Sequence, residues 1–219
     1  MNPEEMLPRH LAYCERAGDP GFWAEPLNFL SNGFFILVAI LGIQLLRGIS
    51  WRAYWDVVAL LISLFVIGIG SGLWHSVATK WAVVADVIPI YVFINLYIFS
   101  LFIRLIGLHW FKTLLIWLVF SACNVWIQTN VPSDVLNGSL MYIPPLVMLG
   151  VATTWLRLQY KHSWKPMAAI SVLFLISLTF RTIDTSICSS FPYGTHFIWH
   201  TLNAWVLYSL VKLLVPKQA

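Results

Sequence analysis

Charge is what this sequence has least of. Asp, Glu, Lys and Arg together make up 10% of its 219 residues, where an ordinary globular domain carries about a quarter. So few charges could not clothe a soluble body in water-facing groups. The 59% share of hydrophobic residues and a mean hydropathy of +0.78 place the chain in a bilayer instead. The net charge is only +4, and the Lys and Arg residues are scattered through short connectors, which speaks against nucleic acid as a partner. Low-complexity segments and internal repeats are lacking, and so are the paired broken helices on which many transporters are built. The first residues, MNPEEMLPRHLAYCERAGDPGFW, have no basic stretch leading into an apolar run and a small-residue cleavage site. They do not read as a signal peptide, and residues 1–26 are expected to persist as an extracytoplasmic N-terminal segment.

What is present is a succession of apolar runs of about 17–25 residues, the length a helix needs to cross a bilayer. Seven are read, at about 27–46, 55–76, 82–103, 110–128, 137–156, 167–187 and 196–215. The expected fold is all-α, a polytopic membrane protein with a seven-transmembrane-helix bundle over residues 27–219. Lys and Arg gather in cytoplasmic loops, and Arg47, Arg52, Arg104, Lys112, Arg157, Lys161, Lys165, Lys212 and Lys217 all fall on the side of the C-terminus. Arg9, Arg16 and Lys80 fall on the other side, with Arg181 in the sixth run near it. The N-terminus is therefore expected outside and the C-terminus in the cytoplasm, and the short loops suit a bacterial inner membrane. Eight of the nine acidic residues, Glu4, Glu5, Glu15, Asp19, Glu25, Asp86, Asp134 and Asp184, lie toward the outer face, and only Asp56 toward the inner one. Acidic residues do little to set orientation, so their gathering asks for another cause, such as bound cations.

Three segments meet at that outer face: Ser71-Gly-Leu-Trp-His75, Asp86-Val-Ile-Pro89 and His196-Phe-Ile-Trp-His200. His196 and His200 are four residues apart on a helix, so both imidazoles project from one face and can share a metal ion. His75 can complete three nitrogen ligands. Three protein ligands with an open fourth position is the pattern of a catalytic zinc site, and Asp86 is then the candidate general base. Ser71, on the face of His75, reads equally as a hydroxyl bonded back to its own helix or as a contact to the zinc shell or an oxyanion. A lone intramembrane His is more often hydrogen-bonded between helices than metal-bound. Here three His and two Asp converge on one end of the bundle, where costly ionisable groups mark functional sites.

Arg181 and Asp184, three apart in the sixth run, are expected to pair. Alternatively, Asp184 hydrogen-bonds a ligating His from the second layer of the site, and Arg181 contacts a polar headgroup. Cys14 and Cys188 both fall at the outer face. In an oxidising compartment they could form a disulfide tying the N-terminal segment over the site, and two free thiols are the other reading.

The set Ser71-x-x-x-His75, Asp86-x-x-Pro89, Ile183-Asp184-x-x-x-Cys188 and His196-x-x-x-His200 resembles the alkaline ceramidase family, seven-helix membrane hydrolases related to the progestin/adipoQ receptors. The resemblance covers most of the chain. It implies zinc on His75, His196 and His200, Ser71 and Asp86 in the catalytic shell, and cleavage of a ceramide-like lipid into a sphingoid base and a fatty acid. It also implies a calcium site near Cys14-Glu15 and Glu25-x-x-Asn28, for which Glu15, Glu25 and, with a different loop path, Asp19 are the candidates. Ala12 and Ala17 stand where that pattern has oxygen-bearing side chains. Val87 replaces an acidic residue after Asp86, and Arg181 stands near the family's tryptophan-asparagine position. A lipid receptor with a metal site of the same kind is the reading from another class, and a hydrolase of a different membrane lipid ester or amide is a third.

Overall fold

The computed structural model describes residues 13–132 and 134–216; Glu4, Glu5, Arg9, Ala12 and Lys217 lie outside the described residues. Among the described residues every element is helical. Its α-helices are α1 (Pro26–Ser31), α2 (Gly33–Gly42), α3 (Trp55–Val77), α4 (Lys80–Ser100), α5 (Trp110–Asn130), α6 (Ile143–Leu158), α7 (Trp164–Ile183) and α8 (His196–Leu213). Shorter 3-10 or π turns extend several of them, so that six continuous segments, Pro26–Leu46, Trp55–Val77, Lys80–Ile106, Trp110–Asn130, Val135–Leu158 and Trp164–Ile187, are long and apolar enough to cross a membrane. This is the make-up of a multi-pass membrane protein. The seventh run forms α8, which carries His196, His200, Asn203 and Lys212 and is not among those six.

Two runs are less regular than their hydropathy suggests. The first is interrupted at Asn32, where the side chains of Ser31 and Asn32 both donate to the Asn28 carbonyl (2.9 and 2.8 Å). Such local bonds give the backbone an alternative to a plain helix. The fifth opens with left-handed backbone at Leu136, Asn137 and Gly138 (φ 54°, 53° and 71°), so its regular helix starts only at Ile143.

Buried apolar side chains run the length of the bundle, from Leu60, Leu64 and Ile67 of α3 through Phe93 of α4 and Met167 of α7 to Val206 and Val211 of α8. Large apolar residues also face outward, among them Ile62, Val119, Val151 and Leu175, as a lipid-facing surface requires. At one end of the bundle Asp56 accepts hydrogen bonds from Ser100 and Arg104 (2.6 Å each), fastening α3 to the end of α4. At the other end α3 stops on a left-handed Ala78 (φ 46°) whose N–H reaches the Trp74 carbonyl, and α4 starts two residues later. The α3–α4 crossing is close because Gly70 has no side chain: a Cβ there would lie 2.1 Å from the Ala85 carbonyl oxygen. Small residues permit such approaches between membrane helices. We expect Gly70→Ala to force α3 and α4 apart and cost about 1–3 kcal/mol, the range for overpacking, read as a lowered unfolding temperature in detergent. An unchanged transition would show that the crossing tolerates a methyl group.

Candidate metal centre

The tight α3–α4 turn sets the end of α3 beside the start of α4, and α8 packs against α3 and faces Asp86 of α4 across a shared cavity. His75 comes from the last turn of α3, and His196 and His200 from the first two turns of α8. All three are buried, at 1%, 3% and 2% exposure, and one ring nitrogen from each lies within 4.8 Å of the others. Among the described residues this is the one group of three or more His, Cys, Asp or Glu side chains placed to hold a metal ion.

Hydrogen bonding shows which nitrogens are free. His75 Nδ1 lies 2.5 Å from Glu25 Oε2, so a ring N–H there donates to the carboxylate and Nε2 is left as the acceptor lone pair. Ser31 Oγ donates to the Asn28 carbonyl, so toward His200 Nδ1, 2.8 Å away, it can only accept. His200 thus donates from Nδ1 and keeps Nε2 free. His75 Nε2 and His196 Nδ1 are buried with no hydrogen-bond partner. Buried polar atoms are nearly always satisfied, and two ring nitrogens without a hydrogen-bond partner in a cluster of three imidazoles are the donor set a metal cation takes. A carboxylate behind the ligating His is the usual support of a metal site. Burial alone would raise the Glu25 carboxyl, but His75 and Arg16 beside it hold it below its ordinary range, so it acts as an anion.

A small cavity opens next to the cluster, lined by Ser71, Asp86, Arg181, His196, His200 and Asn203. The Ser71 hydroxyl lies beside the Asp86 carboxyl, while Asp86 Oδ1 and Asn203 Oδ1 are buried and unpartnered. Tyr13 covers the cluster from the N-terminal segment, its ring 4.0 Å from that of His196 and 4.9 Å from that of His75. A second, almost wholly apolar cavity shares Ile90, Tyr142 and Asn203 with the first and runs down the bundle past Phe93, Leu101 and Leu210.

Asp184 is buried and reaches the centre, through the backbone and not through an imidazole. Its Oδ1 accepts from the N–H groups of Thr195 (2.6 Å) and His196 (3.0 Å), placing an anion at the N-terminus of α8. Gly194, at φ +64°, makes room, since a Cβ there would meet Asp184 Oδ1 at 2.1 Å. The expected Arg181–Asp184 pair is not among the ion pairs of the described residues. α7 ends at Ile183, and Asp184 opens a 3-10 turn that aims it at α8, while Arg181 donates to the Asn137 carbonyl and Ser139 Oγ (2.7 and 2.9 Å) and lies over Tyr142. Cys14 and Cys188 are joined by a disulfide, and the Cys14 N–H donates to Asp184 Oδ2 (3.3 Å).

The carboxylates expected to hold calcium are otherwise engaged. Glu15 accepts from the N–H groups of Leu27 and Asn28 (2.7 and 2.9 Å) at the start of α1, and Asp19 accepts from the Gly21 N–H (2.7 Å). Glu25 is taken by His75, Asn28 and Arg16. Sequence reasoning passed over Tyr13, Arg16 and Ser31, and gave Glu25 another task. One signal was there: Glu25, Asn28 and Ser31 stand at three-residue spacing, a polar stripe entering an otherwise apolar run, and polar groups in spans mark sites. No protein-family model matches the chain, and no curated protein matches it.

Proposed function

We propose that the protein is a zinc-dependent hydrolase of a membrane lipid amide, with a ceramide-like lipid as substrate. The observation that carries this reading is the cluster of free imidazole nitrogens opening onto a cavity that is polar at the metal end and continues as an apolar one. On this reading α8 is the seventh span, walled in by α2, α3 and α7. The N-terminus is outside, the C-terminus inside, and the site is near the outer leaflet.

His75, His196 and His200 would hold the ion, and zinc bound there supplies a Lewis acid and makes hydroxide accessible near neutral pH. Asp86 takes the proton of the attacking water at its free Oδ1 and returns it to the amine as the C–N bond breaks. Ser71 orients the Asp86 carboxyl, and the Asn203 amide faces the carbonyl group undergoing attack. The apolar cavity below takes the acyl chain and keeps water from it. Arg181, held by the Asn137 carbonyl and Ser139, brings a positive charge to the cavity wall, where it meets the polar headgroup.

The test is elemental analysis of protein purified in detergent, joined to a mass-spectrometric screen of lipid amides and esters. Zinc near one ion per chain with release of free fatty acid from amides is the expected result. Zinc with tight ceramide binding and no turnover would favour a receptor. Amide cleavage by metal-free protein would overturn the reading.

A further inference from the structure

The N-terminal segment is built around a buried cation of its own. Arg16 is 6% exposed, and five oxygen acceptors from three separate stretches of chain converge on its guanidinium. Nε donates to Glu25 Oε1. Nη1 donates to the carbonyls of Asp19 (3.0 Å) and Gly21 (3.4 Å), and Nη2 to those of His75 (3.1 Å) and Ser76 (3.4 Å). One carboxylate and four carbonyls are the kind of ligands that calcium takes. Here they surround a guanidinium, whose five donors in a rigid fork can meet all of them. Calcium does not fit beside it, since Glu15 and Asp19 are turned to backbone N–H groups and the oxygens that could close around an ion already accept from Arg16.

We infer that Arg16 is a permanent, covalently tethered cation standing in place of calcium, and that it positions His75 as a metal ligand. It does so along two routes. It grips the His75 and Ser76 carbonyls at the end of α3, which fixes the backbone carrying the imidazole. It also holds Glu25, whose other oxygen receives the His75 Nδ1–H and so sets the tautomer that leaves Nε2 for the ion. Arg16 touches neither ion nor substrate; it is a positioning residue. The consequence is a metal centre that needs no calcium.

The inference rests on the three-histidine metal reading and not on the identity of the lipid, so its test reads metal binding. Full-length protein in detergent, stripped of metal and reloaded, is titrated with zinc against a chromophoric chelator, with and without added calcium. Its cobalt(II) form is followed by its visible spectrum. Wild type is expected to bind one zinc with an affinity that calcium does not change, and to retain no calcium on elemental analysis. Arg16→Met and Glu25→Gln should each weaken zinc by about 10–100-fold, the usual cost of losing a ligand's support, and shift the cobalt spectrum. The double variant should lose less than the two single losses combined, because the Arg16–Glu25 contact is shared by both. Arg16→Lys keeps the charge without the fork and should fall between wild type and Arg16→Met; it serves if Arg16→Met does not fold. Stoichiometric calcium in wild type, zinc affinity that rises with calcium, or unchanged zinc affinity in both Arg16 variants would overturn the inference. A wild type that binds no zinc at all would instead overturn the metal reading beneath it.

Discussion

Protein carrying His75→Ala, purified beside wild type, is expected to come out of the column without its zinc. On the proposed reading the imidazole is one of three side-chain ligands, and it is the one braced by a buried carboxylate, Glu25. Without it the site keeps two neighbouring ligands from a single helix, too few for the three-ligand pattern of a catalytic zinc. Loss of a Lewis acid worth several kcal/mol in the transition state lowers turnover by about a thousandfold or more. His200→Ala should behave alike. Size-exclusion profiles and an intact Cys14–Cys188 bond would show that the fold survives. Stoichiometric zinc in a folded His75→Ala protein would mean that this residue is not a ligand.

Asp86→Asn separates metal binding from proton transfer. The amide keeps the size of the carboxyl but cannot take up a proton at neutral pH, and general-base catalysis contributes about 10²–10⁴-fold. Turnover of the lipid amide should fall by that factor while zinc content stays at the wild-type level. Ser71→Ala, which removes only the hydroxyl beside Asp86, should cost less. If Asp86→Asn lost its zinc, Asp86 would be a ligand and not the base. If it kept full turnover, the proton would travel by another group.

The histidine cluster was legible in the sequence because two simple rules combine there. The four-residue spacing puts His196 and His200 on one helical face, and counting spans brings His75 and Asp86 to the same end of the bundle. What supports the cluster was not legible, since no periodicity encodes the path of a polar N-terminal segment. Tyr13 reaches His196, and Arg16 reaches the His75 carbonyl, across long stretches of sequence. The Arg181–Asp184 expectation failed for a different reason. Three-residue spacing predicts pairing only within a continuous helix, and α7 ends between the two. Hydropathy likewise located seven runs, but the polar residues that give α8 its chemistry are the same ones that make it the least lipid-like of them.

The disulfide joins residues 174 positions apart, and His200 meets Ser31 across 169. The parts of this centre therefore leave the ribosome far apart in time. Tyr13, Arg16 and Glu25 emerge before the intervening helices and must wait through their insertion until α8 delivers the other two imidazoles. The site cannot be assembled locally and then packed. It closes only when α8 joins the bundle, so a chain that stalls short of α8 holds one histidine of the three.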